Sequence, residues 1–254
     1  MTFLYYLIVV VGVMAWAPLL RGRSHVRPGI VESIAVFGGA FLFGSCFVNL
    51  VPHMYIGGFA TAGDLKVGAA VLVGFLVQLV LEILTGGLEH GSQGVGAPKG
   101  DTPQPANPKA DVPLAGLMIG LCIHAFLEGM PLIDMHDGVH LGLLWGIVLH
   151  NIPISLVLVS LFVASGTRPA KAALLMLLFA VMTPLGSLAN NALFGHDAAL
   201  QQLLMGLVVG ILLHVSISIL FGDNGKRLNW NTILLVVIAF VAAYYTPGCP
   251  EIYG

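Results

Sequence analysis

Charge is what this chain has least of. Asp, Glu, Lys and Arg make up 9% of its residues, where a soluble domain carries about a quarter, and that shortage rules out a water-soluble globular fold. Cysteine is nearly as sparse. Cys46, Cys122 and Cys249 are an odd number with no CxxC spacing, which excludes a disulfide framework and a thiolate zinc cluster. Neither HExxH nor GxSxG occurs, so the common hydrolase signatures are missing. A net charge of −2 and a pI near 6.5 give no case for a nucleic-acid partner.

What is present is hydrophobic length. With 57% hydrophobic residues and a mean hydropathy of +0.95, the chain reads as an all-α integral membrane protein. Apolar runs of about 20 residues, enough to cross a bilayer, fall at roughly 2–20, 30–55, 65–85, 113–133, 139–163, 169–194, 199–221 and 230–246. They predict an eight-transmembrane-helix bundle. A β-barrel would need alternating segments of about ten residues, whereas these runs are continuous and rich in Leu, Val and Ala. The first run is too long and too poor in basic residues at its start for a cleaved signal peptide, and is expected to be a retained helix. The only long hydrophilic stretch, Gly86 to Asp111, has the Gly/Pro/Ser/Gln/Asn composition of a flexible loop. It divides a single membrane domain into helices one to three (1–85), a loop (86–112) and helices four to eight (113–254). Glu89 and His90 within it are a lone pair with no partner pattern.

Basic residues orient this bundle. Arg21, Arg23, Arg27, Lys99, Lys109, Arg168, Lys171, Lys226 and Arg227 all fall at one end, and only Lys66 at the other. The positive-inside rule makes that end cytoplasmic and places both termini outside, in a cell membrane, the inner one if the cell is bacterial. The outer loops carry Asp134, His136, Asp137, His140, His196 and Asp197. They read either as a surface lacking retention charges or as a vestibule that concentrates cations.

Small residues one turn apart (Ala40 and Gly44, Gly116 and Gly120, Gly142 and Gly146, Gly206 and Gly210) predict close helix packing in segments two, four, five and seven. Such motifs serve a bundle or a homodimer equally well. Segments one and eight, nearly all apolar, are expected at the lipid-facing periphery.

The polar residues inside the spans carry the chemistry. Segment two holds Asn49 and His53; three, Gln78 and Glu82; four, His124 and Glu128; five, His150 and Asn151; six, Asn190 and Asn191; seven, His214. For Gln78, Glu82 and the Asn pair a helix-to-helix hydrogen bond suffices as an explanation. His124, Glu128 and His150 call for more. A carboxylate at mid-membrane must protonate, pair or hold a cation, and no Lys or Arg lies in the interior of a span to pair it. His124 and Glu128, four apart, share a helix face. With His150 they offer two imidazoles and a carboxylate, a set suited to zinc or a related first-row divalent ion, with Asn151 and water to complete the shell. Pro153 frees the carbonyl of Leu149 as a further ligand or a hinge; Pro184 acts alike in segment six. Cys46, Asn49 and His53, at i, i+3 and i+7 beside Pro52, predict a second stripe along a pathway. His214 is a further pathway candidate or packing glue. Cys122, turned about 200° from His124, is expected to pack, and Cys249 is the cysteine placed to react or pair between chains.

In order along nearly the whole chain, these features resemble the ZIP (Zrt/Irt-like) family of divalent metal transporters. Its fourth-helix pattern His-x-x-x-Glu-Gly is met by His124, Glu128 and Gly129. Its fifth-helix His-Asn/Glu-x-Pro is met by His150, Asn151 and Pro153, and Met182-Thr183-Pro184-Leu185-Gly186 is family-like. The resemblance implies eight spans, both termini outside and a variable cytoplasmic loop after the third helix. The departures are Ala125 beside the fourth-helix His, Ile154 one turn after the fifth-helix His, Asn49 for an acid in helix two, and Ser218 and Ile219 in helix seven. A family-type two-metal centre would lack a bridging carboxylate here, which leaves one site built on His124, Glu128 and His150. The expected activity is import of Zn²⁺, or of Fe²⁺ or Mn²⁺, by alternating access around a midplane site, with no cofactor besides the carried ion. A non-transporting metal sensor and an intramembrane metalloenzyme are the alternatives.

Overall fold

A computed structural model describes residues 2–21, 28–56, 63–85, 114–134, 138–194, 197–221 and 229–246. The expected loop at 86–112, with Glu89 and His90, lies outside the described residues, as do His136, Asp137, His196 and Cys249. The helices are α1 (Thr2–Met14), α2 (Pro28–Ser45), α3 (Val51–Ile56), α4 (Asp64–Thr85), α5 (Leu114–Gly129), α6 (Leu141–Ala164), α7 (Pro169–Phe194), α8 (Ala198–Phe221) and α9 (Trp230–Tyr245). A 3-10 turn at Ala17–Arg21 extends α1. Among the described residues seven stretches are long and apolar enough to cross a bilayer, and α9 adds a shorter apolar helix of 16 residues. Among the described residues the helices are joined by a single two-rung antiparallel ladder, β1 (Ile133–Asp134) against β2 (Gly138–Val139), which folds the link between α5 and α6 back on itself.

The second span is one crossing in two helices. A π turn at Cys46–Leu50 joins α2 to α3, closed by the Val51 N–H on the Cys46 carbonyl. Its cause is Pro52, which has no N–H for the Val48 carbonyl and whose ring crowds it, so the helix widens just before the proline.

Close approach of backbones organises the bundle. A Cβ on Gly129 would collide with the Thr183 carbonyl oxygen and stand 2.7 Å from its Cα, and one on Gly186 would collide with the Phe126 carbonyl. The glycines of the two family-like motifs are therefore one seam between α5 and α7. A second seam joins α4 to α8, where Gly74 meets the Leu207 carbonyl and Gly210 the Val71 carbonyl. The Gly142 and Gly146 pair packs on Asn49 and Leu42 of the second span, and Gly44 on Ala243 and Phe240 of α9. α9 is largely exposed, consistent with a lipid-facing periphery, whereas α1 is mostly half-buried, with Val9 and Val13 in the core; Tyr6 ties α1 inward by donating to Ser187 Oγ at 3.0 Å.

Candidate metal site

His124 on α5 and His150 on α6 bring their rings within 6.0 Å, centroid to centroid, at 72°. Glu128, one turn beyond His124, places Oε2 3.2 Å from His124 Nε2. His124 and Glu128 are both fully buried, at 0% exposure. Neither oxygen of Glu128 has a hydrogen-bond partner among the described residues, so the His124 contact has the distance of an ion pair without the alignment of a hydrogen bond. A dehydrated carboxylate in that state needs a proton or a cation.

The spacing suits a cation. Two donors on one tetrahedral zinc, each at about 2.05 Å, stand about 3.3 Å apart, and two imidazole rings on one ion have centroids about 5 Å apart. The His124–Glu128 distance already matches, and His150 is about an ångström too far. Among the described residues no three His, Cys, Asp or Glu side chains stand close enough together to hold a metal ion; an inward shift of α6 or a rotamer change at His150 is what closing the site requires. Asn151 follows His150 about 100° round the helix, with its Oδ1 buried and without a hydrogen-bond partner among the described residues.

Gln78 of α4 is the residue that sequence reasoning set aside as packing. Its Oε1 lies 2.9 Å from His124 Nδ1, and it is fully buried. An amide oxygen accepts, so Nδ1 carries the proton and the Nε2 lone pair is turned toward Glu128. A metal-binding histidine held this way has its tautomer and ring plane fixed by its second nitrogen. The signal available in sequence was a Gln at mid-span, but only the fold shows which helix it faces. One turn further along α4, Glu82 Oε2 lies 3.5 Å from His214 Nε2 of α8, and the His214 ring stands edge-on to Phe75 at 4.6 Å.

Cys46 and Asn49 lie in the π turn and His53 just beyond it. Cys46 is buried among Leu42, Leu50 and other apolar side chains, Asn49 Nδ2 reaches the Ala243 carbonyl at 3.4 Å, and His53 meets His140 with ring centroids 4.8 Å apart. Burial, and secondarily the charge of His53, pushes the His140 imidazole down to about 3. The carbonyl freed by Pro153 is turned elsewhere too: a Cβ on Gly38 would stand 3.0 Å from the Leu149 oxygen, so this carbonyl faces α2 rather than His124. Asn190 Nδ2 donates to Gln201 Oε1 at 2.9 Å, the helix-to-helix bond expected of it. Cys122 is half-buried beside an apolar cluster, as its angle from His124 predicts.

The model of the ZIP zinc transporter family matches residues 109–241, just over half the chain. The chain belongs to the ZIP zinc transporter family. No curated protein matches it closely enough to add a relative. The matched region holds His124, Glu128, His150, Asn151 and the whole α5–α7 seam, so the family's features and the buried carboxylate coincide. Membership makes the protein a multi-pass membrane protein and a divalent-metal transporter in general kind, and transport rather than enzymatic turnover is the family's activity. The second span and α4, which supply Asn49, His53, Gln78 and Glu82, precede the match.

Proposed function

We propose that this protein imports a divalent transition-metal ion, Zn²⁺ before Fe²⁺ or Mn²⁺, toward the cytoplasm through a single intramembrane site formed by His124, Glu128, His150 and Asn151. The observation that carries the reading is Glu128: a fully buried carboxylate, 3.2 Å from an imidazole nitrogen, with neither oxygen hydrogen-bonded among the described residues. Borderline imidazole and hard carboxylate together favour zinc-like ions, while ligand type alone separates first-row ions poorly. His150 standing about an ångström outside ligand range suits a carrier, since an ion in transit must be held and then let go.

The orientation with both termini extracytoplasmic rests on the basic residues, nine of ten at one end. Cys46, Asn49, His53 and His214 are proposed as pathway positions, with Glu82 beside His214 toward the cytoplasmic end. A proton and a metal ion compete for the lone pairs of Glu128 and its histidine neighbours, which ties release to proton exchange.

The test is Zn²⁺ flux into proteoliposomes, comparing the native chain with His124→Ala/Glu128→Ala and adding Fe²⁺, Mn²⁺ and Cd²⁺ as competitors. Saturable flux lost in the double variant is expected. Metal binding by folded protein without any flux would sink the transport reading and favour a metal sensor, the alternative that Ile154 and Asn49, at positions where the family carries ligands or acids, keep in view.

A further inference from the structure

His53 and His140 stand apart from the site described above. His53 lies in the last turn of α3 and His140 immediately precedes α6, both at the end of the bundle opposite Arg168 and Lys171 at the start of α7. His140 precedes His150 by ten residues, about 15 Å along the helix axis, so neither ring can share an ion with the central residues. Between the two levels, Asn49 lies against Gly142, which keeps a polar side chain on the line from one to the other.

We propose that His53 and His140 form a second divalent-cation station at the extracytoplasmic mouth, which captures the ion before it descends to His124, Glu128 and His150. Three observations carry this. The two ring centroids are 4.8 Å apart, close to the value of about 5 Å for two imidazoles on one tetrahedral ion. His140 is 4% exposed, yet its Nε2 has no hydrogen-bond partner among the described residues, and a buried ring nitrogen left so is costly. His53 is only partly buried, which leaves the pair open to water from one side and gives an arriving ion a route in. With two imidazoles and water as the remaining ligands, the station binds weakly, as an ion meant to move on requires. It has no carboxylate of its own among the side chains described, which sets it apart from the central site in affinity.

This inference rests on the transport reading for its role, but its existence is tested by binding alone. Purified full chain in detergent, stripped with a chelator, is titrated with Zn²⁺ by calorimetry, and folding of each variant is checked by thermal melting. The native chain is expected to take two ions, and His124→Ala/Glu128→Ala one, weaker. Adding His53→Asn to that double variant should weaken the remaining binding at least 10-fold, and His140→Asn should do the same. In the otherwise native chain, His53→Asn alone reduces two ions to one, which keeps the test usable if the central double variant does not fold. In proteoliposomes His53→Asn should raise KM for Zn²⁺ several-fold and leave Vmax within about twofold. Residual binding that His53→Asn and His140→Asn leave unchanged, or native protein that takes a single ion, overturns the proposal. Native protein that takes two ions but moves none overturns the transport reading and leaves the station standing.

Discussion

Gln78→Leu is the substitution that best separates a tuned metal site from a buried polar cluster. Leucine is similar in volume to glutamine, so α4 keeps its packing while His124 Nδ1 loses the acceptor at 2.9 Å. Two consequences follow, both of calculable size. A buried N–H left without its partner costs about 1–3 kcal/mol. Loss of an outer hydrogen bond to a metal-binding histidine lowers metal affinity by about 10–100-fold, which is about 1.4–2.7 kcal/mol on the same scale. The effect should appear in binding because the freed ring can rotate, or shift its proton to Nε2, and either change removes the lone pair now turned toward Glu128. Calorimetric Zn²⁺ titration of purified protein reads it directly, and proteoliposome flux should show KM raised by a similar factor. Gln78→Glu, which keeps an acceptor at the same place, should stay within about threefold of native affinity. The control is Gln201→Leu. It removes another buried glutamine, bonded to Asn190 on α7, and should lower thermal stability without changing zinc affinity. Equal zinc affinity in Gln78→Leu and native protein would refute the assignment of Gln78 as a positioning residue and, with it, the orientation given to His124.

The α5–α7 seam predicts that Gly129→Ala destabilises the protein toward the upper end of the usual 1–3 kcal/mol for overpacking, because the atoms it meets are the Thr183 backbone. Gly68→Ala, with nothing within 4 Å of its Cβ, should leave stability unchanged or raise it by up to about 1 kcal/mol; similar melting temperatures for the two variants would count against the seam. His140 predicts a pH effect on the metal-free fold. The folded state keeps this imidazole neutral down to about pH 3, whereas the unfolded chain protonates it near 6.5, so the unfolded state binds the extra proton at intermediate pH. Stability present above 6.5 is therefore lost as pH falls toward 3, by about 2 kcal/mol between pH 7 and 5. Chelator-treated His140→Asn should melt with a correspondingly flatter pH dependence, and an unchanged slope would contradict the burial argument.

The parts of this structure legible in the sequence were those written as local spacing. Span length and hydropathy predicted the helices because a bilayer demands about 20 apolar residues whatever their neighbours. The i, i+4 spacing of His124 and Glu128 put both on one face before any packing was known. What needed the fold was the identity of opposing helices. Nothing near Gln78 in sequence says that it meets α5, and nothing near His140 says that it meets His53. The small-residue pairs named α5 and α8 but not their seam partners α7 and α4, and missed Gly74, Gly129 and Gly186, whose Cβ positions run into backbone carbonyls. Ala70 and Gly74, and Ala125 and Gly129, do have the i, i+4 spacing, whereas Gly186 has no small residue four positions away; spacing alone does not say that a carbonyl lies opposite. Pro52 was visible too, but its effect on the preceding turn, a π widening at Cys46–Leu50 rather than a kink, was not.

That distribution bears on how an ion could pass. Where backbones touch, as at α5–α7 and α4–α8, the helices of each pair cannot slide without a collision between a carbonyl and a Cα, so each pair moves as one body. The central residues straddle these bodies: His124 and Glu128 ride on α5, Gln78 on α4, and His150 on α6, which packs on the second span through Gly142 and Gly146. A relative shift of about an ångström between α5 and α6 is enough to bring His150 into or out of ligand range of an ion held by His124 and Glu128. Such a shift disturbs neither glycine seam. It lets the site gain and lose its third ligand at little cost in packing, which is the condition for an ion that must be bound firmly enough to enter the membrane and loosely enough to leave it.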